Sequence, residues 1–151
     1  MHIYVDADAC PQVIKDVVYR VAERKNLPLT LVANQFMRIP DRENFHFIQV
    51  AAGPDVADDK IAELTEPGDL VITQDIPLAD IIVSEKQAFA MSPRGKLFTV
   101  ENVKERLSVR DFMTDLRDMG IETGGPKPFS DQDRQHFTNS LDRFLTRQLK
   151  S

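Results

Sequence analysis

Two carboxylates stand one residue apart in Asp6-Ala7-Asp8, directly after the apolar, β-favouring run Ile3-Tyr4-Val5. Side chains alternate along an extended chain, which predicts that Asp6 and Asp8 project to the same side. Carboxylates held that close raise each other's pKa unless a cation or a proton lies between them. The pair therefore suits a metal ion or acid–base work. A third acid, Asp75, closes another apolar run, Leu70-Val71-Ile72-Thr73-Gln74. Asp55, Asp58 and Asp59 lie three and four apart at the head of a predicted helix, on roughly one face. Asp80 follows one turn or more into the helix after Asp75. Such clusters suit hard divalent cations: Mg²⁺ takes one or two carboxylates, several waters and substrate oxygens. Two such ions about 4 Å apart activate a water and stabilise the leaving oxygen in phosphodiester hydrolysis. Thr73 is placed to orient Asp75 or a water through its hydroxyl.

Simpler roles compete for some of these acids. Asp55 reads as a helix cap that favours the positive end of the dipole. Asp58 and Asp59 cannot both face the core, so one of them belongs to solvent. Asp80 reads as an exposed helix residue. Asp6, Asp8 and Asp75 carry the functional reading, because each terminates an apolar strand and clustered acids perturb one another.

The elements that must position them alternate. Strands are expected at Ile3–Val5, Leu29–Ala33, Phe45–Val50, Leu70–Thr73 and Ala88–Met91, with a short one near Leu97–Thr99 after the turn Ser92-Pro93-Arg94-Gly95. A helix begins at Pro11 with Ile14, Val17, Val18 and Val21 on one face, a second covers Asp55–Leu64, and a third follows Pro77. Ser108-Val109-Arg110-Asp111 resembles a capping box opening a helix through Phe112, Leu116 and Met119. After the loop Gly124–Phe129, a last helix starts at Ser130 with the stripe Phe137, Leu141, Phe144, Leu145 and Leu149. This alternation predicts an α/β three-layer sandwich with a mostly parallel central sheet. In such sheets ligands bind beyond the carboxyl ends of the strands. Asp6 and Asp75 converge there if their strands are neighbours across a switch in strand order.

The 151 residues are expected to form a single domain, with residues 120–151 as a C-terminal loop and helix packed on it. A composition of 42% hydrophobic and 28% charged residues is that of a globular protein. No apolar stretch is long enough to span a bilayer, and the N-terminus lacks the regions of a signal peptide. With one cysteine no internal disulfide can form, so a cytoplasmic setting is expected. The net charge of −5 is uneven: residues 1–75 hold 7 Lys/Arg against 13 Asp/Glu, and residues 76–151 hold 12 against 11. The acidic half suits a cation site, the second half can touch a polyanion, and the overall acidity argues against tight non-specific duplex DNA binding.

Val5-Asp6-Ala7-Asp8-Ala9-Cys10-Pro11, Ala57-Asp58-Asp59-Lys60-Ile61 and Thr73-Gln74-Asp75-Ile76-Pro77-Leu78-Ala79 occur in this order. Together they resemble the bacterial YaiI/YqxD family along essentially the whole chain, including Gly125-Pro126 and the Phe137 helix. That family's pattern is in turn similar to PIN-like domains, many of which are Mg²⁺- or Mn²⁺-dependent ribonucleases. The resemblance implies a PIN-like fold, a Mg²⁺ or Mn²⁺ cofactor and RNA as partner. It makes Asp6 the acid ending the first strand, Asp58 the helix acid and Asp75 the acid of the Thr-x-Asp segment, with Asp8 and Asp80 accessory. The Asp6-x-Asp8 pair and the tail after Gly120 depart from the PIN pattern, and both bear on the substrate more than on the metal site.

Two other readings compete. In a haloacid-dehalogenase-like phosphatase a strand ends in Asp-x-Asp, the first acid as nucleophile and the second as general acid. Asp6 and Asp8 fit, but no late strand with paired acids follows. A non-catalytic PIN-like module binding RNA or protein is the alternative outside enzymes. Arg94, Lys96 and Lys127 lie in loops where they can hold phosphates or remain solvated, and Asn34 closes the second strand within reach of a substrate or a turn. Cys10 reads as a small buried thiol, and His2, His46 and His136 lack zinc-ligand spacing. Gly124-Gly125-Pro126 lacks the context of a phosphate-binding loop and reads as a hinge.

Overall fold

All four residues of β1 (Ile3–Asp6) and all five of β2 (Leu29–Ala33) are buried, as parallel strands covered on both faces must be. The computed structural model describes residues 1–108 and 129–149. In chain order β1 is followed by a 3-10 turn (Ala7–Ala9), α1 (Gln12–Lys25), β2, β3 (Phe45–Gln49), α2 (Val56–Leu64), β4 (Leu70–Ile72), α3 (Ile76–Ser84), β5 (Phe89–Met91), β6 (Leu97–Phe98) and α4 (Asp131–Leu149). Residues 100–108 are also helical.

The six strands run in the order β3-β2-β1-β4-β5-β6, all neighbours parallel except the β5–β6 hairpin. The order reverses between β1 and β4, so the switch lies beside the strand that delivers Asp6. Register places Asp6 opposite Val32 on one side, while Val5 pairs with Ile72 on the other.

Alternation along each strand divides the core in two. Ile3 and Val5 join Val17, Val18 and Val21 of α1 and Phe137, Leu141, Phe144 and Leu145 of α4. Tyr4 joins Ile61 of α2 and Leu78, Ala79 and Ile82 of α3. The result is the expected α/β three-layer sandwich. Helix α4 is fixed by a T-shaped contact of Phe144 with Phe89 (ring centroids 5.0 Å apart) and by the Arg24–Asp142 ion pair. The hairpin turn approaches it closely: a Cβ on Gly95, whose φ is +89°, would lie 2.8 Å from the His136 ring.

Several expectations are corrected. Pro11 occupies an N-cap position rather than a helical one, while Asp55 stands at the N-cap of α2, as its cap reading expects. Asp55 makes no side-chain cap bond, because its backbone is left-handed (φ +63°). Leu149 is 42% exposed, so the apolar stripe of α4 ends at Leu145. Ser108 is itself helical rather than a non-helical cap, and the rest of the expected capping box, Val109-Arg110-Asp111, lies outside the described residues. The helix expected from Phe112 onward, and Gly124–Pro126, lie outside the described residues.

Candidate functional site

β1 stops at Asp6 because the chain winds into the 3-10 turn Ala7–Ala9. β4 stops at Ile72, and Asp75 becomes the N-cap of α3, its Oδ1 accepting from the Leu78 N–H at 2.8 Å. Thr73, 1% exposed, lies between these two ends. Its hydroxyl donates to Asp6 Oδ2 at 3.0 Å and accepts from the Asp75 N–H at 3.0 Å. Gln74 ties the same ends at the surface, donating through Nε2 to the Ala9 carbonyl at 2.6 Å. Asp58 reaches in from α2 and faces Asp75 across the same cleft. Asp6, Ala9, Asp58, Gln74, Asp75 and Ile76 line one open cleft of about 460 Å³. A smaller cleft of about 240 Å³ adjoins it, where Asp58 and Asp75 meet Asp55 and Asp59.

Burial raises the pKa of Asp6, and the charges of Asp75 and Asp8 add to this while the Thr73 hydrogen bond opposes it. Asp58 is pushed up to about 7, first by burial, then by the charges of Asp75, Asp6 and Asp55. A cluster in this condition retains a proton near neutral pH or exchanges it for a cation. Among the described residues, no three His, Cys, Asp or Glu side chains are close enough together to hold a metal ion as they stand. What the cleft offers is a pair of neighbouring carboxylates, Asp58 and Asp75, with Asp6 lining the same space. Mg²⁺ is commonly held by one or two carboxylates with waters completing the shell, so this donor set fits it.

The remaining sequence candidates are dispersed. Asp8 lies in the 3-10 turn rather than on an extended strand, so strand alternation does not set its direction, although its charge still reaches Asp6. Its Oδ2 accepts from the Asn34 N–H at 2.7 Å on the β2 side. Asn34 thus contributes its backbone rather than its amide side chain. Asp59 is exposed and lines only the smaller cleft. Asp80 accepts from Ser84 Oγ at 2.9 Å and lines neither. Arg94 sits 4.2 Å above the Phe129 ring and donates to Asp133 at 2.9 Å, which fastens the hairpin to α4. Lys96 is exposed on the hairpin, and Lys127 lies outside the described residues.

Cys10 is buried, and burial pushes its thiol up to about 12, so it is a packing residue. His2 stacks on Tyr4, its Nε2 2.7 Å from Thr30 Oγ1, and burial lowers its pKa. Gln74 and Ala9 are not legible as site residues in the sequence. The only signal for Gln74 is its place between Thr73 and Asp75.

Thr73→Val should leave the Asp75 N–H without its partner, at a cost of about 1–3 kcal/mol. The expected result is a lower Tm together with a further rise in the Asp6 titration, read by NMR of the carboxyl carbon. An unchanged Asp6 titration would show that the hydroxyl does not position it.

Fold and site together define a class: an α/β sandwich with an acidic cleft at its topological switch point, the usual ligand position of open parallel sheets. Sequence comparison narrows this. The family model described as "Uncharacterized BCR, YaiI/YqxD family" matches residues 4–147, and the chain belongs to that family. A "UPF0178 protein" of Syntrophotalea carbinolica is 55% identical over 147 residues, covering 97% of this chain and 99% of the relative. One from Shewanella baltica is 57% identical over 145 residues, 96% of each chain. One from Vibrio atlanticus is 53% identical over 147 residues, covering 97% and 99%. No solved structure matches the chain.

Proposed function

We propose that this protein is a Mg²⁺- or Mn²⁺-dependent phosphodiesterase acting on RNA, with its centre in the cleft between β1 and β4. The observation that carries the reading is the convergence of Asp6, Asp58 and Asp75, from three different elements, on one open cleft. The similarity of the motif order to PIN-like domains supplies the substrate class. Asp58 and Asp75 would hold the cation, with Asp6 reaching its waters. A bound divalent cation supplies Lewis-acid stabilisation and a water of lowered pKa.

The chain's own part is positioning and charge. Thr73 holds Asp6 and the backbone of Asp75 in fixed relation, and the α3 cap fixes one oxygen of Asp75. The second oxygen is left to the cleft. The Gln74–Ala9 hydrogen bond keeps the two strand ends from separating. No side chain need act as a covalent nucleophile. The Asp-x-Asp phosphatase reading gains no support here, because it needs Asp6 and Asp8 on one phosphate while Asp8 is turned to Asn34.

The test is cleavage of a labelled single-stranded RNA by the wild type and an Asp6→Asn, Asp75→Asn double variant, with Mn²⁺ and with EDTA. Cleavage only by the wild type and only with Mn²⁺ is expected. A folded wild type that leaves a panel of RNAs intact overturns the proposal and favours a non-catalytic binding module.

A further inference from the structure

The segment after β2 carries a feature that the acidic cleft does not use. Phe36 is 74% exposed, whereas the next most exposed large apolar side chain among the described residues, Leu149, is at 42%. Burial alternates along the segment: Phe36 and Arg38 are exposed, while Met37 and Ile39 are half-buried and packed against the main core. Met37 is further held by Lys15, whose Nζ lies 3.8 Å from its sulfur. Phe36 rests edge-to-face on Phe47 of β3, ring centroids 5.9 Å apart. The aromatic ring is therefore fixed from below and open above. Arg38 forms no ion pair with any described residue.

The position is as telling as the exposure. Phe36 follows the carboxyl end of β2, the neighbour of β1, on the sheet edge where Asp6 and Asp75 emerge. Asn34, whose N–H holds Asp8, is two residues away, a span of at most about 7 Å. A rigid exposed ring next to a guanidinium that no described residue pairs is the arrangement that accepts a stacked base and its phosphate in single-stranded nucleic acid. A duplex offers no free base face to such a ring.

We infer that Phe36 and Arg38 form a binding step for single-stranded RNA, the base stacking on Phe36 and a phosphate meeting Arg38. This rests on the RNA reading above and adds to it a preference for unpaired strands. The protein contains no tryptophan, so Phe36→Trp introduces a single fluorescent reporter at the step.

The experiment measures binding of a short oligoadenylate, of its duplex with oligouridylate, and of an abasic phosphodiester strand of equal length. EDTA is present, so no cleavage intervenes. Expected are a loss of about 5- to 150-fold in oligoadenylate affinity for Phe36→Ala, as for removal of one base–aromatic stack, and no change for the abasic strand. The indole fluorescence of the Phe36→Trp protein should be quenched by oligoadenylate and not by the abasic strand. Arg38→Gln should weaken both strands and reduce the salt slope by about one.

Wild-type affinity retained by Phe36→Ala, no quenching, or no binding by the wild type overturns the step. So does a variant whose only change is in self-association. The cleavage assay fails or succeeds independently: quenching without cleavage removes the nuclease and keeps the step, while cleavage unaffected by Phe36→Ala does the reverse.

Discussion

Asp75→Asn should lower Mn²⁺-dependent RNA cleavage by about 100- to 1000-fold, the loss of several kcal/mol of charge stabilisation, while leaving the fold intact. Two roles meet in this residue and the substitution separates them. As N-cap of α3, Asp75 accepts from the Leu78 N–H, and asparagine caps a helix as well as aspartate does. As a member of the cleft it contributes charge beside Asp58, which asparagine lacks. Asp75→Ala removes both and should also cost about 1 kcal/mol of stability. The measurement is a cleavage time course at saturating Mn²⁺, with circular dichroism melts of all three proteins. If Asp75→Asn cleaves at the wild-type rate, the cleft is not the site.

Asp58→Asn should abolish most of the pH dependence of stability in the metal-free protein. The folded pKa of Asp58, about 7, stands above its ordinary value of 3.8. Its folded state therefore binds the proton more tightly than the unfolded chain does. The stabilisation is complete below about pH 4 and is lost as pH rises through 7. Asp58 is only half-buried, so screening by solvent reduces the effect to about 1–2 kcal/mol, or roughly 2–6 °C in Tm. Melts of wild type with EDTA should fall by that amount between about pH 5 and pH 8. Asp58→Asn should show a flatter profile, with a residual slope of the same sign from Asp6, whose pKa burial also raises. Added Mn²⁺ should restore the wild type at the higher pH more than the variant. Equal slopes in the two proteins would remove Asp58 from the coupled cluster.

The strand positions are legible as short apolar runs, β-branched in β1, β2 and β4, and β2 lies at Leu29–Ala33, where the sequence predicts it. The meeting of Asp6 and Asp75 follows from one topological condition, that their strands be neighbours across a switch, which the sheet order satisfies. Spacing alone does not say which of Asp58 and Asp59 turns inward; the packing of α2 over the sheet through Ile61 decides it. The direction of Asp8 is not legible for a local reason: period-two alternation does not continue beyond the end of β1. Gln74 and Phe36 give almost no signal. A polar residue in a strand-end loop and a lone phenylalanine after a strand acquire meaning only once neighbouring strand ends are known. Arg94, read from its loop as either holding a phosphate or remaining solvated, is engaged by Asp133 and Phe129, both of which are distant in sequence.

The pairing of β1 with β4 also sets when the acidic cleft comes into being. Strands β1 to β3 and their helix lie within the first 49 residues, whereas Val5 meets Ile72 only after the chain between them has been gathered in. Contacts of such sequence separation carry the loop-closure entropy that slows folding. During synthesis the repelling carboxylates can therefore meet only once β4 has been made, while α4, which covers the face of β1 carrying Ile3 and Val5, is still to come. A truncated chain ending before β4 retains Asp6 and Asp58 but has no cleft, so the acidic centre is a property of the joined sheet rather than of either half.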